Sequence, residues 1–377
     1  MSYKTTEKEF WTNKQRQGSS IHEISYRACF KPQLPKYFIE KYTQEGEIIY
    51  DPFGGRGTTA IEAALLGRNF ITNDINPLST LFVRGRLNPP NLDEIENWFD
   101  ARIERNTEMD QIDLSMFFEK KTLQEINDLR NYFINKKSKN LDNVDHWIKM
   151  VATNRLTGHS KGFFSVYTLP PNQAASVKSQ IQINKKRNQS PEYKDTREII
   201  IKKSKQLLRN LDKEESKNLF MAGKKALIFE RDASETSEIP SECVKLIVTS
   251  PPFLNIVNYS EDNWLRCWFN NIDIKELTKK ITMSTTLEDW SSKMDRVFTE
   301  LYRVLKKNGM VAFEVGEIRN GKIKLEDAVI PIAEKKGFKI IEIMINTQNF
   351  TKTSNIWGVS NNKRGTNTNR IVLMKKR

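Results

Sequence analysis

Apolar residues along this chain follow two rhythms. Seven short runs rich in β-branched residues, at 48–50, 70–72, 227–229, 244–248, 310–315, 338–345 and 370–374, read as strands. Between them, apolar positions recur at helical spacing. Leu34, Phe38 and Ile39 follow this spacing around Pro35, which suits the first turn of a helix. Ile61, Leu65 and Leu66 do so up to Gly67, a fitting αL position after the last apolar residue. The same spacing recurs in Ile95, Trp98, Phe99 and Ile103, and in Leu123, Ile126, Leu129 and Phe133. Further helices are expected over 147–156, over a basic stretch at 202–217, over 297–305 before Lys306-Lys307-Asn308-Gly309, and over 328–336 before Gly337. Strands alternating with helices predict an α/β fold built on a Rossmann-like, mixed seven-stranded sheet, its last two strands antiparallel around a polar hairpin at 361–367.

The alternation fails in two places. Residues 1–20 read as a polar N-terminal arm, and Asn88-Pro89-Pro90-Asn91 reads as a linker. Beyond that linker the strand rhythm stops until about residue 226. A sheet domain is therefore expected from 21–90 and 226–377, with 91–225 as an inserted, mainly helical recognition region.

Chemistry gathers where strands end. The first strand runs into Asp51-Pro52-Phe53-Gly54-Gly55-Arg56-Gly57-Thr58-Thr59, a glycine loop ahead of a helix that Thr58 could cap. Asp51 stands where a carboxylate can meet an ammonium; facing a pyrophosphate it would repel it. The Gly-Lys-Ser/Thr of a phosphate loop is missing. Asp74 ends the second strand fewer than 20 residues on, where an acid grips ribose hydroxyls in such folds, with Ile75 beside it for an adenine face. An Asx turn ahead of Pro77 is the competing reading of Asp74. The third strand ends at Asp232-Ala233. The fourth ends in Thr249-Ser250-Pro251-Pro252-Phe253, and the two prolines stop it. Such a rigid corner can aim a carbonyl and a hydroxyl at an amino group, while Phe253 offers a flat apolar face.

Ser-Pro-Pro-Phe after an apolar strand resembles the catalytic motif of the amino-methylating DNA methyltransferases, which act on N4 of cytosine or N6 of adenine. Residues 51–59 are similar, residue for residue, to their S-adenosylmethionine loop, Asp-Pro-Phe-x-Gly-x-Gly-Thr-Thr. The resemblance covers roughly 21–85 and 226–377. It implies a methyltransferase fold with S-adenosylmethionine as cofactor, held by Phe30 of a His…Phe-x-Pro segment and by Asp51, Pro52, Phe53, Gly55, Gly57, Thr58, Asp74, Ile75, Asp232 and Ala233. It assigns Thr249, Ser250, Pro251, Pro252 and Phe253 to catalysis. The serine head resembles the cytosine-N4 branch. The motif order (glycine loop, insert, proline corner) is less usual for that branch, so adenine N6 stands as the alternative. The implied substrate is duplex DNA with its target base flipped out. The implied setting is a restriction–modification system, whose endonuclease would act on the same site without a stable complex.

Composition adds a basic balance. Lys and Arg total 61 against 47 Asp and Glu, a net charge of +14, which suits a polyanionic partner. Arg155, Lys161, Lys185, Lys186 and Arg187, among amides such as Gln180, Gln182, Asn184 and Gln189, are candidates for gripping phosphates and reading base edges. Tyr259 is a candidate second stacking face. Cys29, Cys243 and Cys267 form no Cys-x-x-Cys and none follows a proline. No zinc site and no Pro-Cys nucleophile of the cytosine-C5 type is expected, and a reducing cytoplasm is. No run of about 18 apolar residues suggests a membrane span. His22 reads either as a surface histidine near a helix entry or as taking a direct role in its segment, and His159 reads as a polar surface histidine. Three other readings remain: an RNA or protein-amide methylase, a catalytically inactive nucleic-acid-binding protein, and, more distantly, a dinucleotide oxidoreductase.

Overall fold

The computed structural model describes residues 3–8, 10, 18–27, 29–102, 112–136, 140–253, 259–281, 284, 286–318, 323–347 and 368–377. Among these residues the strands, in chain order, are β1 (Thr5–Lys8), β2 (Ile48–Asp51), β3 (Asn69–Asn73), β4 (Leu227–Phe229), β5 (Val244–Thr249), β6 (Leu305–Val315), β7 (Glu317–Ile318), β8 (Ile323–Lys324), β9 (Phe338–Thr347) and β10 (Thr368–Lys376). Short β7 and β8 pair only with each other. The other eight form the main sheet, in the order β1-β9-β10-β6-β5-β2-β3-β4. All its neighbours are parallel except β10, which is antiparallel to both β6 and β9.

The continuous apolar runs are explained by burial on both faces. Ile49, Leu246, Val248 and Ala312 join one core, while Tyr50, Ile247, Val311 and Phe313 join the other. The helices Gln33–Tyr42 and Thr58–Leu65 cover the first face. Leu287–Val304 and Leu325–Lys335 cover the second through Met294, Val297, Phe298, Leu301 and Val329.

Several expectations are corrected. The sheet has eight strands where seven were expected, because β1 rises from the supposed polar arm and pairs with β9 from Thr5↔Ile343 to Lys8↔Asn346. Thr-Thr-Glu-Lys carries no apolar signal; an edge strand with half-exposed faces is held by main-chain hydrogen bonds instead. Phe10, just beyond, is buried in the first core. The helix Thr58–Leu65 is capped by Gly57 at φ 76°, and Thr58 is its first residue. The basic stretch at 202–217 is split into the helices Thr196–Leu208 and Lys213–Lys225. Asp212 causes the break: its carboxylate caps the second helix in a box with Glu215. The helix at 147–156 starts earlier, at Asn143, capped by Asp142. Lys306 to Gly309, read as a helix stop, already belong to β6. The hairpin at 361–367 and Ile103 lie outside the described residues.

Between Asn91 and Ala226 the described residues form six helices: Leu92–Arg102, Lys120–Asn135, Asn143–Arg155, Val177–Arg187, Thr196–Leu208 and Lys213–Lys225. Among the described residues no helix is long and apolar enough to cross a membrane.

Candidate active site

Parallel pairing of β4, β3, β2 and β5 brings their carboxyl ends to one rim of the sheet, with Asp51 level with Thr72 and Asn73 with Phe229. A pocket runs along this rim. Phe30, Asp51, Pro52, Phe53, Gly55, Thr58, Asp74, Ile75, Asp232, Ala233, Ser250 and Pro252 all line it. Of the other expected site residues, Gly57 caps the helix beneath the pocket. Thr249 and Pro251 are buried behind it, and half-buried Phe253 packs against the apolar core that the helix Leu287–Val304 shares.

Hydrogen bonds knit the strand ends together. Asp51 Oδ1 accepts the Thr249 hydroxyl at 2.6 Å and the Phe53 N–H at 3.1 Å. Burial pushes its carboxyl up to about 7 against these bonds. Asp74 makes the Asx turn of its competing reading and also reaches the glycine loop. Its Oδ1 accepts the Asn76 N–H at 2.9 Å in an Asx turn, while Oδ2 accepts the Gly55 N–H at 2.7 Å and so holds the glycine loop. Burial raises its carboxyl as well. Asp232 Oδ1 accepts both the N–H and the hydroxyl of Ser234, at 2.9 and 2.7 Å, so a capped turn occupies that oxygen.

Three features escaped the sequence reading. Arg56, at a variable position of the glycine loop, donates to the carbonyls of Ile24 and Phe30 at 3.0 and 3.1 Å and pins that segment over the loop. Glu314 of β6 is buried beside the proline corner. Asn369 Nδ2 donates to its Oε1 at 3.1 Å, and the polar side chains of Asn346 and Ser250 stand near enough to favour its charged form. Burial pushes Glu314 up to about 7. The available signal was an acid inside the apolar run Ala312-Phe313-Glu314-Val315. Third, the surface reading of His22 is overturned: it is buried with Nε2 2.8 Å from Glu62 Oε2, and desolvation lowers its affinity for a proton.

The recognition candidates divide. Arg155 is 8% exposed, bonded to Asn154, with its guanidinium 4.0 Å over the Phe163 ring; a phosphate contact is excluded for it in this conformation. Lys161, Lys185, Lys186 and Arg187 are exposed, and Arg187 lies 3.7 Å over the Tyr167 ring. Three of the amides turn inward: Gln180 and Gln189 donate to the Tyr167 carbonyl and Asn184 to that of Met116, so they hold the insert's own loops. Tyr259 begins the short helix Tyr259–Asp262, and its side chain lies outside the described part of the structure.

With this geometry in place, likeness to known proteins decides the family. A family model described as DNA methylase (N6_N4_Mtase) matches residues 2–79 and 244–376, more than half of the chain. The chain belongs to this DNA methylase family. Type II methyltransferase M.MjaII of Methanocaldococcus jannaschii is 40% identical over 68 residues, 18% of this chain and 13% of that protein. Type II methyltransferase M2.DpnII of Streptococcus pneumoniae is 37% identical over 89 residues, 22% of this chain and 31% of that protein. The matched segments thus span less than a third of either relative. Among solved structures, a SAM-dependent methyltransferase from Methanosarcina mazei aligns over 90% of this chain and 96% of its own, at 11% identity and TM-score 0.33.

The pocket of this DNA methylase-family chain fits S-adenosylmethionine. That molecule presents an ammonium, a ribose diol and an adenine amine, all hydrogen-bond donors. The rim offers three carboxylates in a row: Asp51, Asp74 and Asp232. A pyrophosphate would meet the same row as repulsion.

Proposed function

We propose that this chain transfers the methyl group of S-adenosylmethionine to an exocyclic base amine in duplex DNA, cytosine N4, as the modification enzyme of a restriction–modification system. One observation carries the reading. The parallel register that pairs Thr249 with Phe313 sets Ser250, on the pocket rim, next to the buried carboxyl of Glu314. A serine whose proton is turned to that carboxylate offers the pocket only an acceptor, and the group it suits is an N–H donor.

An exocyclic amine is a poor nucleophile because its lone pair is delocalised into the ring. Hydrogen bonds from the amine to Ser250 Oγ and to the Pro251 carbonyl favour a pyramidal nitrogen with its lone pair free. The cofactor, when bound, supplies a methyl group on a cationic sulfur. Asp51, Asp74 and Asp232 hold that cofactor's donors along the rim, and Arg56 keeps the Phe30 segment closed over the loop. Phe253 offers a ring against which the flipped base can stack. Flipping costs a few kcal/mol, which stacking offsets in part. Positioning and electrostatics carry such a step. Exposed Lys161, Lys185, Lys186 and Arg187 meet the phosphates.

The serine head supports cytosine. The motif order supports adenine N6 as the second reading. Both relatives named above are called Type II methyltransferases, which supports the restriction–modification setting. The deciding experiment incubates the protein with methyl-labelled cofactor and duplex DNA, single-stranded DNA or RNA, then digests to nucleosides. N4-methylcytosine from duplex DNA is expected. N6-methyladenine would move the target base, and label confined to RNA would move the substrate. Label in none of the three would refute the reading.

A further inference from the structure

A row of polar side chains crosses four neighbouring strands on one face of the sheet. Ser250 follows β5, Glu314 lies on β6, Asn369 on β10 and Asn346 on β9. The register sets them in line: Asn369 pairs with Asn346, and Glu314 with Ile371, two residues along the same face of β10. Glu314 and Asn346 are 2% and 3% exposed, so their polar atoms must find partners inside the protein. Asn346 is oriented from the far side: Oδ1 accepts the Phe10 N–H at 3.4 Å, which leaves its NH₂ for Glu314. Asn369 Nδ2 reaches Glu314 Oε1 at 3.1 Å. The groups facing this carboxyl from the strands beside it, Ser250, Asn346 and Asn369, are all uncharged. Arg370, next along β10, points to the opposite face and pairs with Glu326 at 2.7 Å.

We infer that Asn346 and Asn369 are positioning residues for the transfer: their amides hold Glu314 so that it takes the Ser250 proton and leaves the serine oxygen facing the amine. The inference rests on the methyl-transfer reading above. A carboxylate accepts several hydrogen bonds and turns freely among them. Two amides anchored on separate strands remove that freedom and favour the ionised form. Below its midpoint Glu314 carries its own proton, which can point at Ser250 Oγ and fill the lone pair the amine needs. Each amide therefore acts on the chemistry through the acid without touching the substrate. The Phe10 contact extends the row to the N-terminal segment, whose strand β1 lies against β9.

The test uses the full chain with Asn346→Leu and Asn369→Leu, which nearly preserve volume and delete the amides. Glu314 is followed by carbon-13 NMR of its side-chain carboxyl, assigned by its loss in Glu314→Gln. Single-turnover transfer is measured across pH, and cofactor affinity by calorimetry. Each substitution is expected to raise the Glu314 midpoint by about one pH unit. Transfer at pH 7 should then drop several-fold, recover at higher pH, and leave cofactor affinity within about twofold. In a Glu314→Gln background the same substitutions should change the rate less than about twofold. A Glu314 midpoint unmoved in both folded variants would overturn the inference. If the leucine variants do not fold, isosteric Asn346→Asp and Asn369→Asp must raise the midpoint, and failure to do so is equally decisive. Because the NMR titration needs no turnover, a chain that methylates nothing would sink the methyl-transfer reading while the hydrogen-bond row is still judged separately.

Discussion

The Thr249 hydroxyl donates to Asp51 Oδ1 across 2.6 Å, joining the strand before the proline corner to the strand before the glycine loop. The two motifs are nearly 200 residues apart in sequence, and this bond sets their strand ends side by side. Methyl transfer demands that arrangement, since donor and acceptor must meet within one pocket.

The proposed contact between Asp51 and the cofactor's ammonium predicts that binding depends on pH. Burial holds its carboxyl near 7 in the free protein, so below that pH it is protonated and offers no charge to an ammonium. Affinity for S-adenosylmethionine should therefore rise as pH increases through about 7 and level off above it. Calorimetry at pH 7 in buffers of different ionisation enthalpy should detect proton release on binding. Thr249→Val deletes one bond to the carboxylate and should weaken binding roughly tenfold at pH 8. An affinity indifferent to pH and buffer would contradict a carboxylate–ammonium contact.

At the proline corner, Ser250→Ala removes the proposed acceptor and Phe253→Ala the proposed stacking ring. Turnover should fall by about 10²-fold or more in each, with cofactor affinity retained. Single-turnover kinetics with calorimetry separates the two quantities. Unchanged rates in both variants would refute the assigned roles.

Gly57 and Gly46 offer a matched pair for the glycine loop, since both have φ 76°. A Cβ on Gly57 would stand 2.3 Å from Val83 Cγ2, whereas one on Gly46 meets nothing within 4 Å. Gly46→Ala should cost only the left-handed strain, about 1–2 kcal/mol. Gly57→Ala adds a clash in the core and should cost about 1–3 kcal/mol more. Denaturant unfolding of both variants measures the difference.

On the insert, Lys185→Ala with Lys186→Ala should weaken DNA binding and reduce the log–log salt slope by about two, one for each phosphate no longer neutralised. Arg155→Ala should leave that slope unchanged and destabilise the fold instead, because its guanidinium is packed on Phe163. Fluorescence anisotropy over a salt series distinguishes them.

Local patterns carried most of what could be read directly. A buried parallel strand must be apolar on both faces, so β2, β3, β5 and β6 stand out as runs. The acids and prolines that end them mark the ligand rim, because that chemistry is written in adjacent residues. Asp51, Asp74 and Ser250 were legible for this reason, and so was the glycine turn.

Other features depended on residues far apart in the chain. β1 carries no apolar signal, and only its pairing with β9 makes it a strand. Arg155 looks like a phosphate ligand until the ring of Phe163 and the Asn154 side chain close around it. His22 and Glu62, 40 residues apart, each look like solvated groups until folding buries them together. Glu314 reads as an oddity in an apolar run, and only the β5–β6 register turns it toward Ser250. Sequence by itself determined which chemistry sits at each strand end. Tertiary structure alone decided which distant side chains share it, because burial and hydrogen-bond geometry depend on neighbours that sheet order supplies.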